Sequence, residues 1–310
     1  MRFAFVFPGQ GSQSVGMLNA FGDHPVAKAT LEEASDVLSQ DIGRLIAHGS
    51  VDELNLTIHA QPVMLTAAYL IYRVWKQAGG ATPVVVAGHS LGEYTALVAA
   101  DSITFHDALL LVRFRAQAMQ QAVQVGVGGM AAILGLDDAA VRDVCSEAAS
   151  AGIVEAVNFN APAQVVIAGQ KEAVDKACEI AKTKHAKRTV LLPVSVPFHS
   201  SLLKPVSEPL RAYLTDVDMR TPQIPMINNV DAAIFSDPSK IKDALVRQAA
   251  GPVRWVECVR MIAAQQVTHL IECGPGKVLA RLTQRIDSHL SSGALTDLVS
   301  VNNTLKLLQG

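Results

Sequence analysis

Residues 84–100 read VVVAGHSLGEYTALVAA, and this stretch decides the fold. The valines that end in a glycine predict a buried central parallel strand, and the small residues after Leu91 predict a helix packed closely on the sheet. Gly88 and Gly92, two positions on either side of Ser90, leave room for a sharp strand-to-helix turn. We therefore predict a nucleophile elbow with Ser90 at its tip; a serine that only caps the helix is the alternative.

The predicted elbow has two chemical consequences. Ser90 Oγ would project from the end of the sheet, where a substrate can reach it. The N–H of Leu91 would lie at the helix N-terminus, where it can donate to an oxyanion that develops during attack. A serine nucleophile also needs a base within hydrogen-bond reach, so the nine histidines of the chain are candidates.

One of these histidines stands out as the base. His89 is excluded because it adjoins Ser90 on the turn, where consecutive side chains diverge, and we expect it to pack inside the protein. His199 is the best candidate because it follows Pro197 in a stiff polar loop; an ordinary surface histidine is the alternative. No Asp or Glu stands out at a strand end as a third triad member, which counts against a standard α/β-hydrolase.

The composition is that of a globular chain with about two domains. Its 310 residues are 50% hydrophobic, and we expect a cytoplasmic protein because neither a signal-like start nor a run of 18 apolar residues occurs. The formal net charge of −2 argues against general binding of nucleic acids. The cysteines are scattered and indicate neither a disulfide framework nor a zinc site; they are Cys145, Cys178, Cys258 and Cys273.

Strands and helices alternate around the elbow. A first strand at residues 2–7 runs into a loop that contains Gln10 and two glycines, which is either a plain tight turn or a loop that approaches a ligand. Residues 25–78 have a helical pattern in which Gln61-Pro62 opens the last helix. This alternation predicts an α/β fold like that of the α/β-hydrolases, with a mainly parallel sheet covered by helices on both faces.

Residues 128–195 form a unit of their own. Their pattern predicts the order strand, helix, strand, strand, helix, strand, which is the ferredoxin-like βαββαβ arrangement. The two weakly similar halves of this unit are the one internal repeat in the sequence. We expect this small subdomain to occupy residues 127–196 and to be inserted into a large α/β domain made of residues 1–126 and 197–310.

Arg115 falls within the apolar stripe of a helix that begins with a cap at Thr104 and continues to about Val123. Arg113, two residues earlier, lies on the polar side of the same helix. We expect Arg115 to be poorly solvated, and a buried guanidinium needs an anion. That anion is either a carboxylate of the protein or a substrate carboxylate held bidentately.

Several motifs occur together in a fixed order. They are FPGQGSQ at 7–13, GHSLGE at 88–93, Arg115, NFNAP at 158–162 with Gln164, FHS at 198–200, LVRQ at 245–248 and ECGPG at 272–276. With these motifs the chain resembles, over essentially its whole length, the malonyl-CoA:acyl-carrier-protein transacylases of fatty-acid synthesis.

The resemblance implies a role for each catalytic position. Ser90 would be the nucleophile that carries the malonyl group, and His199 would be its base. The main-chain carbonyl of Gln248, rather than an acid, would orient His199, which explains the missing third triad member. The backbone N–H groups of Gln10 and Leu91 would form the oxyanion hole.

The resemblance also implies how the substrates are bound. Arg115 would hold the malonyl carboxylate, Asn160 would line the cleft between the domains, and Phe198 would close the pocket around the α-carbon against a methyl branch. Malonyl-CoA and acyl carrier protein are the implied partners. No metal or redox cofactor is expected, because a thioester and a serine ester are close enough in energy for plain acyl transfer.

Acyl carrier proteins are acidic, so a nearly neutral enzyme needs a local basic patch to attract one. The candidate docking patch is the densest basic cluster of the chain and consists of Lys182, Lys184, Lys187 and Arg188. A helix dipole favours the same charges without any partner. Two other functions are left as alternatives: a serine esterase or thioesterase, and a catalytically silent module that only docks carrier proteins.

Overall fold

The computed structural model of the protein describes residues 1–124, 126–194 and 196–309. Residue 195, the last of the predicted small unit, lies outside the described residues. Within the described ranges the strands are β1 Phe3–Phe7, β2 Val85–Gly88, β3 Gly128–Leu134, β4 Val154–Ala161, β5 Gln164–Gln170, β6 Arg188–Leu191, β7 Met226–Ile227, β8 His269–Cys273 and β9 Ser291–Leu295.

Longer helices connect these strands, and short 3₁₀ turns occur between some of them. The helices are α1 Pro25–Leu38, α2 Ile42–His48, α3 Val51–Asn55, α4 Thr57–Gln77, α5 Gly92–Ala99, α6 Phe105–Ala122, α7 Asp138–Ala148, α8 Lys171–Thr183, α9 Ser207–Thr215, α10 Pro238–Ala249, α11 Trp255–Ala264, α12 Val278–Ile286 and α13 Leu298–Gln309. None of the described helices combines the length and the apolar character needed to span a membrane.

The larger sheet has five parallel strands in the spatial order β7-β2-β1-β8-β9. Alternate residues of β1 pack on opposite faces, because successive side chains of a strand point to opposite sides. Phe5 belongs to a hydrophobic cluster with residues of α4, α5 and α6, whereas Val6 belongs to a second cluster with residues of α11 and α12. Helices therefore cover both faces of a mainly parallel sheet, and the predicted fold class is confirmed.

The smaller sheet has four antiparallel strands in the order β4-β5-β3-β6, with α7 and α8 packed on it. Along the chain, these strands and helices follow the ferredoxin-like βαββαβ order that the sequence pattern predicts. Strand β4 joins the smaller sheet to the larger unit: the N–H of Phe159 donates to the carbonyl of Val253 over 3.0 Å, and the N–H of Val253 donates to the carbonyl of Val157 over 2.8 Å. The opposite edge, β6, runs into residues 192–194.

Two helix starts were predicted from short sequence signals, and the structure confirms one of them. The cap at Thr104 is confirmed, since Thr104 Oγ1 accepts the N–H of Asp107 over 3.0 Å at the start of α6. The start predicted at Gln61-Pro62 is wrong, because α4 begins at Thr57 and contains Pro62. A contact between distant residues accompanies the earlier start: the Thr57 hydroxyl donates to Gln10 Oε1 over 2.9 Å.

Candidate active site

The elbow forms between the last residue of β2 and the first residue of α5. Ser90 has a φ of 52°, a left-handed conformation that a residue with a side chain seldom adopts. A Cβ on Gly88 would lie 1.9 Å from the carbonyl carbon of Gly92, and a Cβ on Gly92 would lie 2.0 Å from the carbonyl oxygen of Phe7. Only glycine fits at both positions, and the sharp strand-to-helix turn predicted around Ser90 is present.

His199 lies between Ser90 and Gln248. Its Nδ1 is 2.9 Å from the main-chain oxygen of Gln248, and its Nε2 is 2.7 Å from Ser90 Oγ. A carbonyl oxygen can only accept, so Nδ1 carries the proton and Nε2 offers its lone pair to the serine hydroxyl. His199 is 4% exposed, and burial, reinforced by the positive charge of Arg115, lowers the pKa of its imidazole to about 3. The imidazole is therefore neutral and able to accept a proton at neutral pH.

A cavity of about 270 Å³ opens in front of this pair. Its lining includes a group of residues that we call the polar wall, namely Gln10, Ser90, Leu91, Arg115 and His199. In the part of the chain that the structure describes, the N–H groups of Gln10 and Leu91 donate to no protein acceptor, so both are free for a ligand oxygen.

The lining also includes a second group of residues that we call the apolar wall, namely Met130, Asn158, Leu192, Val194 and Phe198. Its four apolar side chains pack in one hydrophobic cluster on the smaller sheet. Half-buried Phe198 also packs against the core of the larger unit, at the point where the chain leaves the small unit.

Arg115 reaches the cavity from α6 and is 1% exposed. Its two terminal nitrogens donate to carboxamide oxygens, Nη1 to Gln61 Oε1 over 2.7 Å and Nη2 to Gln248 Oε1 over 3.0 Å. The guanidinium carbon also lies 5.3 Å from the centroid of the Tyr94 ring. No carboxylate of the described residues forms a salt bridge with it, and burial lowers the pKa of its guanidinium. Neutral amides therefore orient this cation without neutralising it.

Asn160 does not reach the cavity. Its Oδ1 is 2.8 Å from Nε2 of His89, whose ring packs 5.4 Å from that of Trp255. Asn158, two residues earlier on β4, lines the cavity instead; it is 9% exposed and its Oδ1 has no hydrogen-bond partner in the described chain. The pairing of β4 with β5 shifts register between Phe159 and Ala161, so the alternation of side chains along a strand does not predict where Asn160 lies.

Sequence reasoning missed three side chains behind the elbow: those of Glu93, Asn229 and Gln248. Glu93 Oε2 accepts from the N–H of Asn229 over 2.9 Å and from Gln248 Nε2 over 3.0 Å. Glu93 and Gln248 are 0% exposed, and burial raises the pKa of the Glu93 carboxyl to about 7. An acidic residue in the first turn of an otherwise apolar helix was the signal for Glu93; nothing local marked Asn229.

The basic cluster lies where α8 ends and β6 begins. Lys182 is in the last turn of α8, and Lys184 forms an ion pair with Glu147, so the cluster is not free of acidic neighbours. Lys187 and Arg188 are exposed. Arg188 opens β6, four residues before cavity-lining Leu192, which corresponds to about 13 Å along an extended strand.

Comparison with known proteins places these observations in a family. Residues 4–299 match the family described as the acyl transferase domain. The chain is 50% identical over 305 residues to the malonyl CoA-acyl carrier protein transacylase of Salmonella typhimurium, with 98% of this chain and 99% of that protein covered. The Bacillus subtilis protein of the same name is 41% identical over 310 residues, with 99% of this chain and 98% of that protein covered.

Solved structures agree with the sequence relatives. The acyl-carrier-protein S-malonyltransferase of Burkholderia pseudomallei has a TM-score of 0.97 and 70% identity, with 99% of this chain and all of that chain covered. A malonyl-transacylase solved in complex with a type II PKS acyl-carrier protein has a TM-score of 0.97 and 47% identity, with 99% of this chain and all of that chain covered.

Proposed function

The chain belongs to the family of malonyl CoA-acyl carrier protein transacylases, and we propose that it transfers a malonyl group from malonyl-CoA to the phosphopantetheine thiol of an acyl carrier protein. The observation that carries this proposal is one cavity that holds Ser90, a neutral His199 and an Arg115 with which no carboxylate of the described chain forms a salt bridge. The transfer would supply malonyl units for fatty-acid biosynthesis.

The first half-reaction loads the serine. Ser90 Oγ attacks the thioester carbonyl carbon of malonyl-CoA while His199 Nε2 takes the hydroxyl proton. The tetrahedral intermediate then collapses, the carbon–sulfur bond breaks, and the imidazolium returns its proton to the departing coenzyme A thiolate. A malonyl ester on Ser90 and free coenzyme A result.

The second half-reaction runs the same steps with another thiol. His199 takes the proton of the carrier protein's pantetheine thiol, whose sulfur attacks the ester carbonyl carbon. The carbon–oxygen bond to Ser90 breaks, and the imidazolium protonates Oγ. Because both thiols use the same site in turn, the kinetics should be ping-pong.

Two backbone groups support both half-reactions. The N–H groups of Gln10 and Leu91 would donate to the oxyanion of each tetrahedral intermediate, since both line the cavity and have no protein acceptor in the described chain. The carbonyl of Gln248 keeps His199 in the tautomer with a free Nε2 and thus replaces the acid of a standard triad. Because thioester and ester are of similar energy, this transfer requires no metal or redox cofactor.

Arg115 would select the acyl group by its charge. A substrate carboxylate that enters the cavity meets a guanidinium held by amides, with which it can form charge-assisted hydrogen bonds. Phe198 would close the pocket around the α-carbon. Asn160 would act indirectly, because it bonds to His89, which lines the cavity, and does not line the cavity itself.

We further propose that carrier protein docks near the basic cluster of Lys182, Lys184, Lys187 and Arg188, on a small subdomain of residues 127–196 inserted between 1–126 and 197–310. Strand β6 leads from Arg188 to the cavity lining, so a partner held there could send a pantetheine arm to Ser90. All four cysteines are free and buried, which suits the reducing cytoplasm.

Mass spectrometry of the intact protein after mixing with malonyl-CoA tests the function. The proposal requires a malonyl adduct on Ser90 that is stable to water and disappears when acyl carrier protein is added. Rapid release of coenzyme A without an adduct would instead identify a serine esterase or thioesterase. If neither an adduct nor release of coenzyme A is observed, the docking module is the alternative that remains.

A further inference from the structure

A buried carboxyl group lies directly behind the catalytic turn. Glu93 is the second residue of α5 and is completely inaccessible to solvent. One of its oxygens, Oε2, accepts two hydrogen bonds, from the main chain of Asn229 and from the side chain of Gln248. The other, Oε1, has no donor among the described residues. Glu93 is therefore out of reach of a substrate, but it bonds to Asn229 and Gln248, which in turn bond to residues of the catalytic site.

Asn229 holds the elbow from behind. Its Oδ1 accepts the N–H of Ser90 over 2.7 Å, and its Nδ2 donates to the carbonyl of Gly88 over 2.7 Å. These two backbone groups flank His89, so one carboxamide joins both sides of the turn. A left-handed Ser90 persists only where its surroundings hold it, and this amide supplies two of the contacts.

Gln248 connects the elbow to the arginine. Its Nε2 donates both to the carbonyl of Ser90, over 2.9 Å, and to Glu93. An amide with two acceptors on one side must place its NH₂ group there, so its oxygen faces the other way. That oxygen, Oε1, receives the hydrogen bond from Arg115, and the main-chain oxygen of the same residue receives the one from His199.

We propose that Glu93 is a positioning residue that, through Asn229 and Gln248, aligns both the Ser90–His199 pair and the carboxylate-binding Arg115. The inference rests on the proposed function, because it assigns a cause to the preference for a malonyl group. Glu93 acts by accepting hydrogen bonds: together with the carbonyl of Ser90, its Oε2 holds the NH₂ end of the Gln248 amide, so that Oε1 faces the guanidinium.

Removal of the acceptor has a specific consequence. With leucine at position 93, the N–H of Asn229 and one N–H of Gln248 would be buried without a partner, a costly arrangement that a shift of both residues relieves. A shifted Gln248 no longer holds its Oε1 against Arg115, so the guanidinium is displaced. Glutamine at position 93 would keep an acceptor oxygen in the same place and should preserve the arrangement.

The first experiment measures how fast malonyl-CoA and acetyl-CoA acylate the wild type and three variants, Glu93→Leu, Glu93→Gln and Glu272→Leu. The ratio of the two rates does not depend on how much protein is folded, because both donors are tested on one preparation. We expect Glu93→Leu to lower the malonyl-to-acetyl ratio about 10-fold or more, the size of one hydrogen bond to a charged group. Glu93→Gln should stay close to the wild type.

Glu272→Leu is the matched control. Glu272 is also 0% exposed, and burial likewise raises the pKa of its carboxyl to about 7, yet its partner is the N–H of Ala280 at the start of α12. Its replacement should leave the ratio unchanged. An unchanged ratio in Glu93→Leu overturns the proposal, as does an equal fall in Glu93→Gln and Glu93→Leu, which would mean that charge rather than hydrogen bonding acts.

A second pair of variants tests the elbow contact and serves if Glu93→Leu does not fold. Asn229→Asp keeps an acceptor for Ser90 but loses the donor to Gly88, so acylation by both donors should slow about equally. The control is Asn228→Asp, an equally buried neighbour whose side chain bonds only within its own turn. Wild-type acylation rates in Asn229→Asp would show that the bonds of Asn229 to the elbow do not position Ser90, and would overturn that part of the proposal.

The wild type separates this inference from the proposed function. If the wild-type protein forms no malonyl-Ser90 adduct, the function itself fails. If the adduct forms in the wild type but Glu93→Leu keeps the wild-type ratio, only the role of Glu93 fails.

Discussion

The polar wall and the apolar wall of the cavity are built in different ways. The polar wall presents groups that buried hydrogen bonds hold in one orientation, such as His199 between Ser90 and Gln248. The four apolar side chains of the other wall, among them Phe198, interact by packing alone and set the shape and volume of the cavity. This difference predicts that changes in the polar wall decide whether malonyl transfer occurs, and changes in the apolar wall decide how bulky an acyl group is accepted.

The largest effect should come from Ser90→Ala. This change removes a single hydroxyl, so the fold should persist while covalent malonylation is lost completely. Mass spectrometry of the intact variant after exposure to malonyl-CoA measures the adduct. Ser102→Ala is the control, because the buried Ser102 hydroxyl bonds only to the carbonyl of Arg220. An adduct that persisted on Ser90→Ala would place the nucleophile elsewhere.

His199→Ala should slow both half-reactions by roughly 10²–10⁴-fold, the usual contribution of a positioned base. Release of coenzyme A measures the first half-reaction, and transfer to carrier protein measures the second. His269→Ala, on β8 of the larger sheet, is the control. An unchanged rate of coenzyme A release would remove His199 from the mechanism.

The pH dependence of the wild type checks the same assignment. A base works in its neutral form, which predominates above its pKa. Burial lowers the pKa of His199 to about 3, so its protonation should not slow acylation between about pH 7 and pH 5. A rate that fell with an apparent pKa near 6.5, the ordinary value for histidine, would contradict this geometry.

Arg115→Ala should lower malonyl transfer far more than acetyl transfer, because the malonyl carboxylate would enter a dry cavity without a counter-ion. Rates with the two donors give the ratio directly. Arg113→Ala, on the same helix, is the matched control, since its side chain bonds to Gln40 instead of facing the cavity. An equal loss with both donors would make Arg115 a structural residue.

Substitutions in the apolar wall should change only the selectivity between acyl groups. Phe198→Ser enlarges the pocket around the α-carbon, so the ratio of methylmalonyl to malonyl transfer should rise, by an amount limited to about 1–3 kcal/mol for one methyl group. Competition between the two thioesters measures the ratio. Phe235→Ser, another half-buried phenylalanine on the main core, should not change it. A collapse of all activity in Phe198→Ser would break the contrast between the two walls.

The smallest effect should come from outside the cavity. The double change Lys187→Ala with Arg188→Ala should slow transfer to carrier protein several-fold at low ionic strength and leave transfer to free pantetheine unchanged. Salt should reduce the difference, because exposed charges are screened beyond about 8 Å at physiological ionic strength. A control double change at exposed Lys76 and Lys306 should have no effect. Equal effects on transfer to the two acceptors would mean that the basic cluster does not bind carrier protein and only interacts favourably with the dipole of α8.

The sequence predicted the features whose causes are local. Valines before Gly88 and a glycine at 92 indicated the elbow because the strand, the turn and the start of the helix follow one another directly, although the space left by Gly92 is also needed by the carbonyl of Phe7 on β1. The cap at Thr104 was predictable because it is a contact between residues three positions apart. The start of α4 was mispredicted at Gln61-Pro62, because the chain already becomes helical at Thr57, next to a loop 47 residues away.

By itself, then, the sequence determined the sheet-and-helix alternation, the elbow and the family to which the motifs belong. Only the tertiary structure decided that Asn158 rather than Asn160 lines the cavity, and that Glu93 bonds Asn229 and Gln248 behind the elbow. The reason is physical: those hydrogen bonds join residues 136 and 155 positions apart, and no pattern along one chain reveals which buried polar groups will face each other after folding.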